Sequence, residues 1–416
     1  MAEALVPVPG CRSCGRPLDL TFVDLGLSPL SNSYLDAEAL AGPERFYPLH
    51  ARVCRGCWLV QLPQAVAPEE IFSDYAYFSS YSDTWVEHAR RYAAEMTERL
   101  GLGPGSRVVE IASNDGYLLQ FFAARGIPVL GIEPAANVAK VAVEKGIPTW
   151  NRFFGPEAAA ELAAPGKQAD LLLGNNVLAH VPALREFVQG LRTALAPRGV
   201  ITMEFPHLLR LIDENQFDTI YHEHFSYFSL IAVEAVFARE GLAIHDVEEL
   251  PTHGGSLRIF ASHAAPAPRA VSARVKELRE REAAAGLASE APYRGFAEKV
   301  AETKRRLLGF LIEAKRKGLS IAGYGAPAKG NTLLNYCGIR IDFLDYTVDR
   351  SPHKQGMYLP GTRIPIHAPE RLRETRPDYV LILPWNIRDE IMGQMAHVRE
   401  WGGRFVVAIP EVRVLG

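Results

Sequence analysis

The stretch YHEHFSYFSL, Tyr221 to Leu230, places His222, Glu223, His224 and two tyrosines within seven positions. Such a cluster could ligate a metal, act as a general base with its supports, or form an ordinary packed polar turn. Ligation needs the imidazoles to converge, whereas an i, i+2 spacing points them to opposite faces of a strand. HEH is also not the HExxH of a metalloprotease helix. Acid–base work fits the residue types better, because an imidazole titrates near neutral pH and a neighbouring carboxylate can orient it.

Four of the five cysteines form two pairs, Cys11/Cys14 in CRSCG and Cys54/Cys57 in CRGCW. Two CxxC pairs in a reducing compartment suggest tetrahedral zinc, with redox thiols or unrelated cysteines as the plain alternatives; four sulfur ligands leave no open position, so such a metal is structural. The gap between the pairs exceeds the roughly 15–20 residues of a compact ribbon, so the insert must loop out and return. Cys337, in LLNYCGI, reads as a small buried apolar residue.

Two further stretches join a buried strand to a helix through a polar loop. VVEIASNDGYLLQFF carries Glu110, Ser113, Asn114 and Gly116, and a second strand ends in GIEP with Glu133. An acidic residue about 20 positions beyond such a loop can accept ribose hydroxyls, as NAD and S-adenosylmethionine both require. Methyltransferases that use the latter carry alternate glycines in this loop, where this chain has Ala112, Asn114 and only Gly116. Asn175 and Asn176, in GNNVLAHV, would meet the polar edges of the ligand. The plain alternative is that Glu110 and Glu133 are solvated strand-end residues. No later feature suggests hydride chemistry, which favours S-adenosylmethionine.

In the second stretch, IAGYGAPAKGNTLLN, Gly323, Gly325 and Ala328 fit G-x-G-x-x-G/A, with Asp345 or Asp349 near the expected distance. Read alone it suggests NAD, and an NAD-dependent nucleotide-sugar oxidoreductase or epimerase is the alternative function. With the first loop holding the cofactor, this one could hold a substrate pyrophosphate. Lys329 would then supply charge, and Tyr324 and Asn331 hydrogen bonds. A turn whose glycines serve only strand–helix packing is the competing reading.

The elements that must carry these groups are legible as a sequence of domains. With 416 residues, two to four domains are expected. Residues 1–67 read as a small β-rich zinc-binding domain. Residues 68–268 open with a helix, DTWVEHARRYAAEMTERL, and continue as alternating strands and helices, a Rossmann-like α/β domain. Residues 269–416 begin with helices and end in a second Rossmann-like α/β domain. The formal net charge of −3 and the 22% charged residues give no reason to expect nucleic acid or a membrane surface. No apolar run approaches the roughly 20 residues of a membrane helix, and a cytoplasmic protein is expected.

The paired CxxC units, EIASNDG, YHEHFSYFS and GYGAPAKGNTLLN occur here in the order found in S-adenosylmethionine-dependent C-methyltransferases that build branched deoxysugars. Across nearly its whole length the chain resembles that family. Within it, the likeness is greatest to the 3-C-methyltransferases of dTDP-3-amino-2,3,6-trideoxy-4-keto-D-glucose in tetronitrose biosynthesis. The resemblance implies a dTDP-linked 4-keto-deoxysugar as substrate and a C-terminal domain that helps to bind it. It implies His224 as the base, with Tyr221 and Glu223 orienting the sugar or stabilising charge on the ketone oxygen. Tyr75 in SDYAYFSSYS and His180 in NNVLAHV match further active-site positions, and Tyr77 is assigned to the substrate. Aromatic packing for Tyr75 and a solvated helix start for His180 are the plain alternatives. A monomer is compatible with this reading.

Overall fold

The computed structural model describes residues 10–67, 70, 78–266 and 268–416; Tyr75 and Tyr77 lie outside them. The chain forms two compact units, each drawn from separated stretches. Unit one comprises Met1–Leu18, Cys54–His207 and Phe225–Ala288, and unit two Asp19–Val53, Leu208–His224 and Ser289–Gly416. Both cysteine pairs thus belong to unit one, and the insert that loops out between them belongs to unit two.

Unit one is built on a seven-stranded sheet. Along the chain its strands are Val108–Ile111, Val129–Ile132, Thr149–Trp150, Ala169–Asn175, Leu195–Pro206, Leu242–Leu250 and Ser256–His263. Counted so, they lie side by side in the order 3-2-1-4-5-7-6. The first five run parallel, and the seventh runs antiparallel to both its neighbours. Helices cover both faces, which is why the central strands are apolar at consecutive positions. Val109, Leu172 and Ile201 pack into one core, while Val108, Leu171 and Leu173 pack into the other.

The helix Asp83–Leu100 is capped by Ser82, whose side chain accepts from the Trp85 amide, and it ends on Gly101 at φ 62°. Ala89, Tyr92, Ala93 and Met96 form its buried face as their spacing requires, while Trp85 stays partly exposed.

Unit two contains a six-stranded sheet made of Ile321–Tyr324, Thr347–Val348, Ile366–His367, Tyr379–Ile382, Arg404–Val407 and Arg413–Leu415. Their order is 3-2-1-4-5-6, with only the last strand antiparallel. The insert contributes an antiparallel ribbon, Leu20–Ser28 with Tyr47–Val53. Its Phe22 stacks on Phe296 of the 26-residue helix Ala291–Arg316, with ring centroids 4.4 Å apart.

In both sheets the strand order reverses between strands 1 and 4. Ligands of open α/β sheets bind beyond the carboxyl ends of the strands at such a reversal. Among the described residues, no helix is long and apolar enough to cross a membrane.

Candidate active site and zinc centre

The two CxxC segments of unit one fold into the same turn. Cys11 N donates to Arg16 O and Cys54 N to Leu59 O; Gly15 N returns to Cys11 O and Trp58 N to Cys54 O. The fourth residue after the first cysteine is left-handed in both, Gly15 at φ 75° and Trp58 at φ 59°. All four sulfurs lie within 4.8 Å of one another. Zinc–sulfur bonds of about 2.3 Å place tetrahedral sulfurs about 3.8 Å apart, and the Cys11–Cys57 and Cys14–Cys54 separations are 3.6 and 3.3 Å.

Hydrogen bonds from Cys54 and Cys57 hold the Cys11 thiol far below its ordinary range, while Cys11 and Cys54 push Cys57 far above it. Four thiolates at this spacing need a cation among them, so the donor set fits zinc. The amide of Gln61 donates to Cys11 Sγ at 3.2 Å, an outer-shell contact that supports a thiolate. Among the described residues this is the one such convergence of His, Cys, Asp or Glu ligands, and neither histidine of HEH belongs to it.

At the carboxyl ends of the unit-one strands, Ala112, Asn114 and Gly116 take φ values of 54°, 49° and 76°. The loop therefore has the alternating left-handed backbone that glycines would supply, at a cost of roughly 1 kcal/mol for each non-glycine. Ser113 occupies the space left by Gly131, where a Cβ would lie 2.4 Å from its Oγ.

Glu133 is buried and braces the loop, its Oε2 accepting from Asn114 N and its Oε1 from Ala135 N, both at 2.9 Å. Glu110 is 1% exposed and neither of its carboxyl oxygens has a hydrogen-bond partner. Burial, then the nearby Glu133 and Asp115, pushes its pKa well above the carboxylate range. Both glutamates are thus buried strand-end residues rather than solvated ones. A buried orphan carboxyl on the first strand fits a ligand that carries positive charge, as S-adenosylmethionine does at its sulfonium and ammonium groups.

The same edge holds groups that sequence reasoning missed. Glu204, at the end of the fifth strand, accepts from Arg258 at 2.8 Å and Thr252 at 2.9 Å, with His88 Nε2 at 3.0 Å. Burial alone would raise this carboxyl, but His88 and Arg258 hold it at about 2. Trp85 stacks on His88 and Tyr117. Asn176, at φ 55°, donates from its side chain to His253 Nε2 at 3.1 Å, and Asn175 reaches the Tyr117 hydroxyl at 3.5 Å. His180 ends a 3-10 turn, Leu178–His180, and is partly exposed. The visible signal for Glu204 was a carboxylate inside the apolar run VITMEFP.

In unit two, Tyr221–His224 is a tight turn rather than a strand, with His224 N donating to Tyr221 O at 2.9 Å. The two imidazoles diverge through separate anchors. His222 Nε2 donates to Pro48 O at 3.2 Å, and His224 Nδ1 donates to Thr219 O at 2.9 Å. A carbonyl can only accept, so neutral His224 carries its proton on Nδ1 and its basic lone pair on Nε2. The Tyr221 ring lies against that imidazole, centroids 4.1 Å apart. Glu223 is buried and accepts from Asn32 Nδ2 at 2.6 Å; burial pushes its carboxyl up to about 7 against that bond.

The glycine loop of unit two is set by packing. A Cβ on Gly323 would meet Thr347 Oγ1 at 2.7 Å, and one on Gly325, at φ 89°, would meet Pro384 Cδ at 2.6 Å. Ala326 N donates to Asp349 Oδ2 at 2.7 Å, while Asp345 pairs with Lys315. Lys354 Nζ donates to Ala326 O at 2.9 Å. Lys329 Nζ reaches Asn386 Oδ1 at 2.8 Å and lies 4.7 Å from the centre of the Trp385 ring. Asn331 donates to Ser31 O at 2.6 Å and keeps a buried Oδ1 without a partner, as does the Tyr324 hydroxyl. Cys337 is buried, and burial lifts its thiol to about 12.

Three family models match the chain. They describe a zinc binding domain over residues 11–72, a methyltransferase domain over 85–247 and a C-methyltransferase C-terminal domain over 251–410. The C-methyltransferase NovU of Streptomyces niveus is 39% identical over 415 residues, covering 100% of this chain and 99% of that protein. Trans-aconitate 2-methyltransferase of Paracidovorax citrulli is 32% identical over 28% of this chain and 45% of that protein. The structure of Burkholderia thailandensis 1,6-didemethyltoxoflavin-N1-methyltransferase is 18% identical, covering 50% of this chain and 95% of that one. Its TM-score of 0.36 is too low to carry an argument. The oxidoreductase alternative gains no support from these relatives. With a full-length relative of this identity, four converged cysteines and a methyltransferase sheet, the chain belongs to the S-adenosylmethionine-dependent C-methyltransferases and carries a structural zinc site.

Proposed function

We propose that the chain methylates C-3 of a dTDP-linked 4-keto-deoxysugar, dTDP-3-amino-2,3,6-trideoxy-4-keto-D-glucose in the first instance, for a branched sugar of a natural product. The observation that carries this reading is the tautomer of His224, fixed by Thr219 O with the basic lone pair on Nε2. A ketone at C-4 acidifies the hydrogen at C-3, and His224 Nε2 takes that proton, leaving an enolate whose carbon is the nucleophile.

Glu223, with its carboxyl raised to about 7, is partly protonated at neutral pH and can donate to the developing enolate oxygen. Tyr221 supports the same charge or orients the sugar, and His180, Tyr75 and Tyr77 are assigned to the acceptor. S-adenosylmethionine supplies the methyl group, its carbon–sulfur bond breaking as the new carbon–carbon bond forms. Glu110, Ser113, Asn114, Gly116, Glu133, Asn175 and Asn176 would hold it. Lys329, Tyr324 and Asn331 are assigned to the nucleotide diphosphate, whose charge suits Lys329 and the neighbouring Lys354. The linear division into residues 1–67, 68–268 and 269–416 then names zinc, cofactor and nucleotide-sugar parts, in a chain that works in the cytoplasm.

The test is His224→Asn. Turnover falls by at least about 1,000-fold while S-adenosylmethionine binding, followed by calorimetry, is kept. Substantial methylation by the folded variant removes His224 as the base.

A further inference from the structure

Asp218 is fully buried, yet the chemistry above makes no use of it. It sits in the 3-10 turn Phe217–Thr219, the turn whose last carbonyl orients His224. Its Oδ2 accepts from Trp385 Nε1 at 2.7 Å, and its Oδ1 is buried without a partner. Trp385 opens the 3-10 turn Trp385–Ile387, just beyond the fourth strand of the unit-two sheet, Tyr379–Ile382, at the reversal of strand order. Two neutral contacts secure the same segment to the helix Ala328–Cys337. Thr332 Oγ1 donates to Ile220 O at 3.1 Å, and Phe217 meets the Tyr336 ring edge-on at 5.5 Å.

A buried carboxyl is costly, and a leucine would fill the same space without that cost. Burial pushes the Asp218 carboxyl up to about 6, and the charge that opposes this is Lys329, held over the Trp385 ring. Asp218 lies in the turn whose movement would move the Thr219 carbonyl.

We infer that the Asp218–Trp385 hydrogen bond positions His224, fixing the Thr219 carbonyl so that the imidazole keeps its proton on Nδ1 and its basic nitrogen on Nε2. Asp218 is a positioning residue and touches no reacting atom. The inference rests on His224 being the base, but its first readout does not depend on turnover.

Selective ¹³C/¹⁵N labelling of histidine, with the His224 signal assigned by its loss in His224→Asn, reports which ring nitrogen is protonated. Trp385→Phe and Asp218→Leu each remove the bond from one side. In both, the His224 signal moves from the Nδ1–H form to a mixture of tautomers. The kcat falls about 10- to 100-fold with S-adenosylmethionine affinity unchanged, as a small misplacement of a base predicts. The double variant loses no more than either single one, because both act through one bond. Asp218→Asn keeps an acceptor oxygen for Trp385 and restores the Nδ1–H signal. A Thr332→Val control, which loosens a neutral contact, leaves the tautomer in place.

Folded Trp385→Phe and Asp218→Leu proteins that retain the wild-type His224 signal would overturn the inference. A changed tautomer with unchanged kcat would instead show that the bond positions His224 and that His224 is not the base.

Discussion

The two reversal points of this chain share a topology and differ in charge. In each, a carboxylate after the second strand braces the loop after the first: Glu133 accepts from Asn114 N, and Asp349 from Ala326 N. Unit two has the fuller glycine pattern, but its glycines are demanded by Thr347 and Pro384 packed against them. Unit one has one glycine in its loop, yet Ala112 and Asn114 adopt the left-handed backbone regardless. Around the unit-one loop lie the buried carboxyls of Glu110, Asp115 and Glu133, with one lysine, Lys145, paired to Asp115; around the other lie Lys329 and Lys354, with one carboxylate, Asp349. Under the proposed function the glycine count is a poor guide to the ligand of each loop, and the charged groups beside the loops suit a sulfonium in one and a diphosphate in the other.

The largest effect should come from exchanging the two ligands between two variants. Glu133→Ala removes the brace on Asn114 N and lowers S-adenosylmethionine affinity about 100-fold, since a hydrogen bond to a charged group contributes roughly 1.5–3 kcal/mol. Thymidine diphosphate binding stays unchanged. Lys329→Ala does the reverse, weakening thymidine diphosphate about tenfold and sparing the cofactor. Calorimetry with each ligand checks both, and any crossing of the effects would break the contrast.

A smaller effect sharpens the glycine argument. Gly325→Ala forces a left-handed alanine against Pro384 and lowers stability by about 2 kcal/mol. Ala112→Gly relieves a left-handed alanine and changes stability by less than about 1 kcal/mol. Thermal unfolding compares the two, and equal destabilisation by both would show that the loops are under the same constraint.

The smallest effect is in pH. The Glu110 carboxyl is raised in the fold, so its contribution to stability is complete below the ordinary carboxylate pKa. That contribution is lost as pH rises through the raised value. A cation beside Glu110 favours the ionised form. S-adenosylmethionine should therefore bind several-fold more tightly across that same rise, releasing protons as it binds. Calorimetry in buffers of different ionisation enthalpy measures the release, and pH-independent binding without it contradicts the assignment of Glu110 to the cofactor.

Most of the scaffold was legible from local pattern. SRVVEIA, PVLGIEP, ADLLLGNNV, LSIAGYGA and DYVLILPW all contain strands, and the cysteine pairs converge as their spacing implied. Long-range pairing was not. Nothing local says that the insert between the cysteine pairs packs Phe22 on Phe296, or that Asp218 meets Trp385 across 167 positions. The antiparallel pair Leu242–Leu250 and Ser256–His263 alternates too weakly to announce itself. The i, i+2 argument for HEH assumes strand geometry, whereas the Tyr221–His224 turn directs its histidines to different carbonyls. Glu204 and Arg258 are conspicuous only once folding has buried them together.

The most direct test uses S-adenosylmethionine carrying a ¹³C-labelled methyl group, with dTDP-3-amino-2,3,6-trideoxy-4-keto-D-glucose as acceptor and carbon NMR of the product. The account predicts one labelled methyl bonded to a ring carbon that has lost its hydrogen. A label bonded to oxygen or nitrogen would contradict it.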